Sequence, residues 1–287
     1  MVRILLILAA LAAFPAAAQD AGTVAADTGP LRHLTRADEA KAWQAVGRLD
    51  LDDSGFCTGT LISDRHVLTA AHCVFSRQTG RTYDPKRIVF RAGLRNGRAT
   101  ASRRARRFIV NDAYHYDDDD KMKRVAADVA IVELEQPIRS AAIVPFEWDD
   151  KPIAGQEVMV VSYAAGRENH PSLQDRCNLL DARGDVLVFS CDVTFGASGS
   201  PVFVQSDTGP KIASVMSAMA QWKHQPVSLA ASLAAPLDQL LAKLTVADPV
   251  FRSLTAAADG TRRSIAEQLG RAESPTDVRG GLPQITR

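Results

Sequence analysis

Leu68-Thr69-Ala70-Ala71-His72-Cys73 decides how this chain of 287 residues is read. It sets a histidine and a cysteine directly after the β-prone run His66–Thr69. Another such run, Gly59–Ile62, precedes it, and Cys57 and Cys73 bracket the whole segment. Two later stretches also carry chemistry. Ala127-Asp128-Val129-Ala130-Ile131-Val132-Glu133-Leu134 places one carboxylate ahead of an apolar run. Gly196-Ala197-Ser198-Gly199-Ser200-Pro201 places a serine between glycines, as on a tight loop. The order is His, Asp, Ser, with separations of 56 and 70 residues. A serine hydroxyl is a poor nucleophile at neutral pH and needs an adjacent base. A histidine can take and return that proton. A buried carboxylate on its other ring nitrogen fixes the tautomer.

Together these segments resemble the His, Asp and Ser segments of the trypsin-like (chymotrypsin-fold) serine peptidases, the last in the G-x-S-G-S-P form of bacterial members. The resemblance spans roughly Val46 to Leu244. It implies an all-β chain of two antiparallel β-barrels with a short C-terminal helix and a cleft between the barrels. It implies an exported serine endopeptidase acting through an acyl-enzyme on peptide or protein substrates. His72 is the expected base and then acid, Asp128 its orienting partner, and Ser198 the nucleophile. Backbone N–H groups of Gly196 and Ser198 are expected to bind the developing oxyanion. Asp192, six residues before Ser198, is expected at the pocket base, with a preference for basic side chains. Ser217, Ala218 and Met219 are expected to pair with substrate backbone as an added strand, with Met219 narrowing the pocket. No cofactor or metal is expected. Two other readings stand beside this one: a catalytically silent binding or scaffold homologue, and an esterase using the same triad.

One residue departs from the pattern. The digestive and clotting branches carry an Asp just before the nucleophile, which pairs with a new buried α-amine after zymogen cleavage. Ala197 cannot make that pair. The expectation is an oxyanion loop built without a buried N-terminus and held by packing alone.

Beyond the motifs, the chain is 46% hydrophobic with a formal net charge of +1. The first value argues for a packed core. The second gives no reason to expect nucleic acid as a partner. Arg3, the apolar run Ile4–Phe14 and the small residues Ala16–Ala18 read as a signal peptide over 1–18. That run is too short for a membrane span. Export to the periplasm or the extracellular space follows, and a monomer is expected. The four cysteines, Cys57, Cys73, Cys177 and Cys191, then read as two disulfides. Three connectivities are open, and the sequential one closes two short loops. No C-x-x-C pair supports zinc.

Residues 19–45 read as a leader or pro-segment, with a short helix over Asp38–Trp43. Short β-prone runs then recur, at Arg87–Phe90, Arg107–Val110, Val129–Val132, Glu157–Val161, Val186–Phe189, Pro201–Val204 and Ile212–Val215. The expected barrels occupy 46–145 and 146–247, joined through Pro137–Pro152. Leu237, Leu240, Leu241 and Leu244 have helical spacing. Residues 248–287 read as a polar tail with a short helix near Arg263–Leu269. Seven arginines between Arg91 and Arg107, and the run Asp117–Asp120, read as solvated loops facing each other. His33, His66, His115, His170 and His224 read as surface or structural.

Overall fold

The computed structural model describes residues 28–52, 55–149, 152–234 and 236–246. The segments read as a signal peptide, as a polar tail and as a short helix near Arg263 lie outside the described residues.

Six short strands close the first barrel: β2 (Val46–Leu51), β3 (Phe56–Leu61), β4 (His66–Thr69), β5 (Ile88–Ala92), β6 (Ala101–Val110) and β7 (Ala130–Leu134). They neighbour one another in the order β2-β3-β4-β7-β6-β5, all antiparallel. Period-two alternation sends Ile88, Phe90 and Ala92 of β5 inward. The β7 strand is buried on both faces, and it carries Glu133 with it. Glu133 is satisfied by Arg106 at 2.9 Å and by Arg107, both from β6. The arginine run is therefore largely strand, and these two arginines meet Glu133 instead of the Asp117–Asp120 run.

The second half consists of β8 (Glu157–Ala164), β9 (Arg167–Arg183), β10 (Val186–Phe189), β11 (Pro201–Ser206), β12 (Gly209–Trp222) and β13 (Gln225–Ser232). Their pairings run β9-β10-β13-β12-β11-β8, and β8 pairs again with β9, so the sheet returns on itself. Val158, Val160, Leu179, Phe189, Val202 and Met216 fill its interior. Ahead of the first barrel, β1 (Leu31–His33) adds to the flank of β9, with Leu31 opposite Gln174. A helical segment follows, α1 (Ala37–Ala40) running into a 3-10 turn at Lys41–Trp43. Leu34, Trp43 and Ala45 are buried, so from Leu31 onward the stretch read as a leader packs into the fold.

Aromatic packing joins the halves. Trp43, Phe146 of the inter-barrel connection and Phe203 of β11 form a cluster with centroids 4.6–5.9 Å apart. Tyr163 of β8 is fully buried and donates its hydroxyl to the Leu94 carbonyl at 2.8 Å. The last described element, α3 (Pro236–Val246), buries Leu237, Leu240 and Leu244. Arg107 of β6 reaches the Leu244 carbonyl from the first barrel.

Disulfides join Cys57 to Cys73 and Cys177 to Cys191, the sequential pairing. The first ties β3 to the turn that carries His72. Its sequence separation is 16, so the chain-entropy model assigns it about 3 kcal/mol. Replacing Cys57 and Cys73 together by alanine is expected to lower the unfolding free energy by about that amount, read from denaturant titrations under oxidising conditions.

Candidate active site

His72 sits in a 3-10 turn, Ala71–Val74, that follows β4 directly. Ala70 and Ala71 are fully buried, and Ala71, Ala127, Ala130 and Tyr114 pack as one cluster. Small side chains there let the turn approach the start of β7. Asp128 ends the helix α2 (Lys121–Ala127), and Asp120 begins it, its carboxylate accepting from the N–H groups of Met122 and Lys123. The acidic run thus closes in a helix cap.

Asp128 is 2% exposed and carries its charge into the interior. Burial alone would push its pKa up. The charge of the His72 ring and hydrogen bonds from the His72 ring, Ser217 and the His72 backbone outweigh burial and hold it below the usual 3.8. His72 Nδ1 donates to Asp128 Oδ2 at 2.7 Å, and the His72 backbone N–H donates to Oδ1 at 2.8 Å. These bonds fix the ring, whose Nε2 lies 3.8 Å from Cys73 Sγ. Ser217, whose backbone is expected to meet substrate, donates its hydroxyl to Asp128 Oδ2. An irregularity in the β12–β13 pairing between Met216 and Ala218 marks the spot. Sequence reading missed this contact, because no spacing rule marks a serine at a strand irregularity.

Ser198 lies on the loop between β10 and β11. Gly196 has φ +92° and Gly199 has φ +79°. A Cβ at 196 would run into the Phe56 ring, and one at 199 into the Thr58 carbonyl oxygen and the Thr69 hydroxyl. Three N–H groups at the end of the loop are spoken for. Ala197 donates to Thr194 O, Gly199 to Met216 O and Ser200 to Ala197 O, at 2.8–3.0 Å. The N–H groups of Gly196 and Ser198 have no acceptor among the described residues, and neither do those of Val193, Thr194 and Phe195.

Packing alone does not hold this loop, contrary to the expectation drawn from Ala197. Ala197 is buried, but hydrogen bonds set the shape around it. The Thr58 N–H of β3 donates to Ser198 O at 2.8 Å, and the Thr58 hydroxyl lies 3.1 Å from Gly196 O and 3.2 Å from Tyr163 O. That hydroxyl accepts the Tyr163 N–H at 2.9 Å. Ala165 N–H reaches Phe195 O at 2.7 Å. Thr58 was not singled out in the sequence, since a threonine in a strand is ordinary.

His72, Asp128 and Ser198 line one cleft of about 770 Å³, together with Ser217, Ala218 and Met219. Ser198 makes no hydrogen bond to His72 among those found in the described residues. Such contacts are often loose without substrate. A second cleft of about 620 Å³ continues past His72, Arg77 and Phe195, which line both. His72 thus lies where two arms of one groove meet. Asp192 is exposed and does not line the cleft; its backbone N–H donates to Gln174 Oε1 at 2.7 Å. The expected acidic pocket base is therefore not formed by it. Beside Ser198 the lining is instead apolar, from Val193, Met216, Ala218 and Leu229. Cys57, Cys73 and His72 bring ligand-type atoms close together, but both sulfurs belong to the disulfide and offer no thiolate.

The comparisons with known proteins agree with this geometry. The family described as the trypsin-like peptidase domain matches residues 57–209, over half of the chain. Serine protease 23 of Bos taurus is 29% identical over 173 residues, covering 52% of this chain and 44% of that protein. Its Homo sapiens counterpart is 27% identical over 172 residues. The chain spans less than half the length of these relatives. A solved Glu endopeptidase in complex with MPD superposes with a TM-score of 0.62 at 16% identity, over 76% of this chain and 97% of that one. The thermostable serine protease AL20 from an extremophilic microorganism gives 0.56 at 16% identity, over 72% of this chain and all of that one. At that identity the likeness concerns the fold.

Two outcomes are expected. Thr58→Val keeps the shape of the side chain but leaves the Tyr163 N–H unpaired, so stability should fall by about 1–3 kcal/mol in urea unfolding. The folded pKa of Asp128 is depressed, so its contribution is present above 3.8 and is lost as pH falls through the lower folded value. The stability gap between wild type and Asp128→Asn should therefore narrow as pH falls below about 3.8 in denaturant titrations.

Proposed function

The chain belongs to the trypsin-like peptidase family, and on that footing we propose that it is an exported serine endopeptidase working through His72, Asp128 and Ser198. One observation carries the reading. His72, held on Asp128 at 2.7 Å, lines one cleft with Ser198, and the N–H groups of Gly196 and Ser198 are among those of the loop without acceptors, as an oxyanion would need.

In the proposed reaction Ser198 Oγ attacks the carbonyl carbon of the scissile bond and gives its proton to His72 Nε2. Asp128 keeps the ring in the Nδ1–H tautomer and stabilises the imidazolium. The carbonyl oxygen, now negative, accepts from Gly196 and Ser198. His72 returns its proton to the leaving amine as the C–N bond breaks. Water then repeats the sequence on the acyl-enzyme, freeing the acid and the serine. A groove whose two arms meet at His72 suits cleavage within a chain. The apolar lining from Val193, Met216, Ala218 and Leu229 favours an apolar residue at the cleaved bond over a basic one. Ser217–Met219 would pair with substrate backbone through the strand edge while the Ser217 hydroxyl serves Asp128. Two disulfides support an oxidising compartment, periplasmic or extracellular. No helix among the described residues is long and apolar enough to cross a membrane.

A fluorophosphonate probe should label wild type and not Ser198→Ala. A peptide-library digest should show internal cleavage after apolar residues, with turnover lower by about 10⁶-fold in the variant. Absence of label on wild type would favour a silent scaffold, and ester turnover without peptide cleavage would favour an esterase.

A further inference from the structure

The charges along the main cleft are unevenly placed. Arg77, Lys121 and Arg124 line it, and none has a carboxylate partner among the described residues. Arg77 and Lys121 are exposed, and Arg124 is half-buried with Nη1 donating to Tyr116 O at 3.2 Å. Asp128 is the one carboxylate in the lining, and it is buried against His72. Asp117–Asp120 precede Lys121 in sequence but do not line the cleft, and Asp120 is committed to capping α2. Apolar exposure is concentrated in the same place. Five large apolar side chains are exposed among the described residues, and three of them, Met122, Phe195 and Met219, line this cleft. Exposed apolar groups gathered in one groove mark a place that something covers. A wall of unpaired cations beside them selects the charge of what covers it.

We infer that the cleft recognises an extended polypeptide segment that pairs a large apolar residue with acidic residues flanking the cleaved bond. The inference deepens the endopeptidase reading and rests on it for the word cleaved. The apolar residue lies against Phe195 and Met219, beside Ser198. The acidic side chains meet Lys121 and Arg124 on the α2 wall and Arg77 where the two arms join. Each such pair is solvent-facing and modest in strength, so the preference comes from their number and fades with salt.

Binding and cleavage are tested apart. Ser198→Ala protein is titrated with three fluorescent peptides of one apolar sequence, flanked by Glu, Gln or Lys, and read by anisotropy. The Glu peptide should bind tightest and the Lys peptide weakest, by about tenfold at low salt, with the order flattening at high salt. Adding Lys121→Glu and Arg124→Glu should invert the order, a result that misfolding cannot produce. Arg77→Glu with Lys121→Glu, both at exposed positions, should shift it the same way if the first pair does not fold. Equal affinity for all three peptides, or an order unchanged by charge reversal, would overturn the inference. Wild-type cleavage of the same peptides is scored separately. Cleavage without a charge order leaves the endopeptidase reading and removes this one, whereas a charge order without cleavage does the reverse.

Discussion

A single threonine hydroxyl, on β3 of the first barrel, is where the two halves of this molecule are joined to the chemistry between them. Thr58 is fully buried. Its hydroxyl accepts from the β8 backbone at Tyr163 and faces the carbonyl of Gly196 on the serine loop, and its N–H holds the carbonyl of Ser198. A buried hydroxyl is stabilising only when its partners stand at the right distance, and costs free energy when they do not. The contact therefore reports on both barrels at once. Thr69 at the end of β4 extends it, donating to the Thr58 carbonyl at 2.8 Å just before the chain turns into His72. Histidine turn and serine loop are thus set from the same few atoms.

Around this point the fold repeatedly places charge and polarity where burial would penalise them, and supplies the partners that make them tolerable. Asp128 is the clearest case, with two bonds from His72 and one from Ser217. Glu133, five residues on, is equally buried and is met by two arginines of β6. Arg167 of β9 is buried as well and is only partly met, with Nη1 bonded to both oxygens of Ser162 and Nη2 without a partner among the described residues. Burial lowers its pKa, partly offset by the charge of Asp192. Asp192 thus acts on Arg167 from outside the cleft in which the sequence had suggested it would sit.

Much of the fold was readable because strand periodicity and chemical motifs coincide. Every β-prone run read from Gly59 to Val215 overlaps a strand, and the leucines after Pro236 make a helix. Four strands, β1, β2, β9 and β13, match no run read from the sequence, and β9 and β13 stayed hidden for identifiable reasons. The first residues of β9 are Arg-Glu-Asn-His-Pro, polar and with a proline inside. The pairing with β8 is irregular between Ser162 and Ala164, opposite this stretch, so Pro171 sits where a missing N–H is tolerated. The β13 strand follows a turn in which Lys223 and His224 take positive φ without a glycine to announce it. At the site, His72, Asp128 and Ser198 were readable because their segments are local. Thr58, the Ser217 contact and the exposed position of Asp192 depend on residues far apart in sequence, which no local pattern encodes.

The position of Thr58 also bears on timing. Histidine and aspartate belong to the half made first, whereas the serine loop and the Tyr163 backbone that complete the Thr58 bonds are made later. A ribosome-bound chain holding only the first barrel has neither the loop nor its anchor. The serine loop takes its final shape only once the second half has been synthesised and has docked on the first, so chain order itself fixes when the candidate site is assembled.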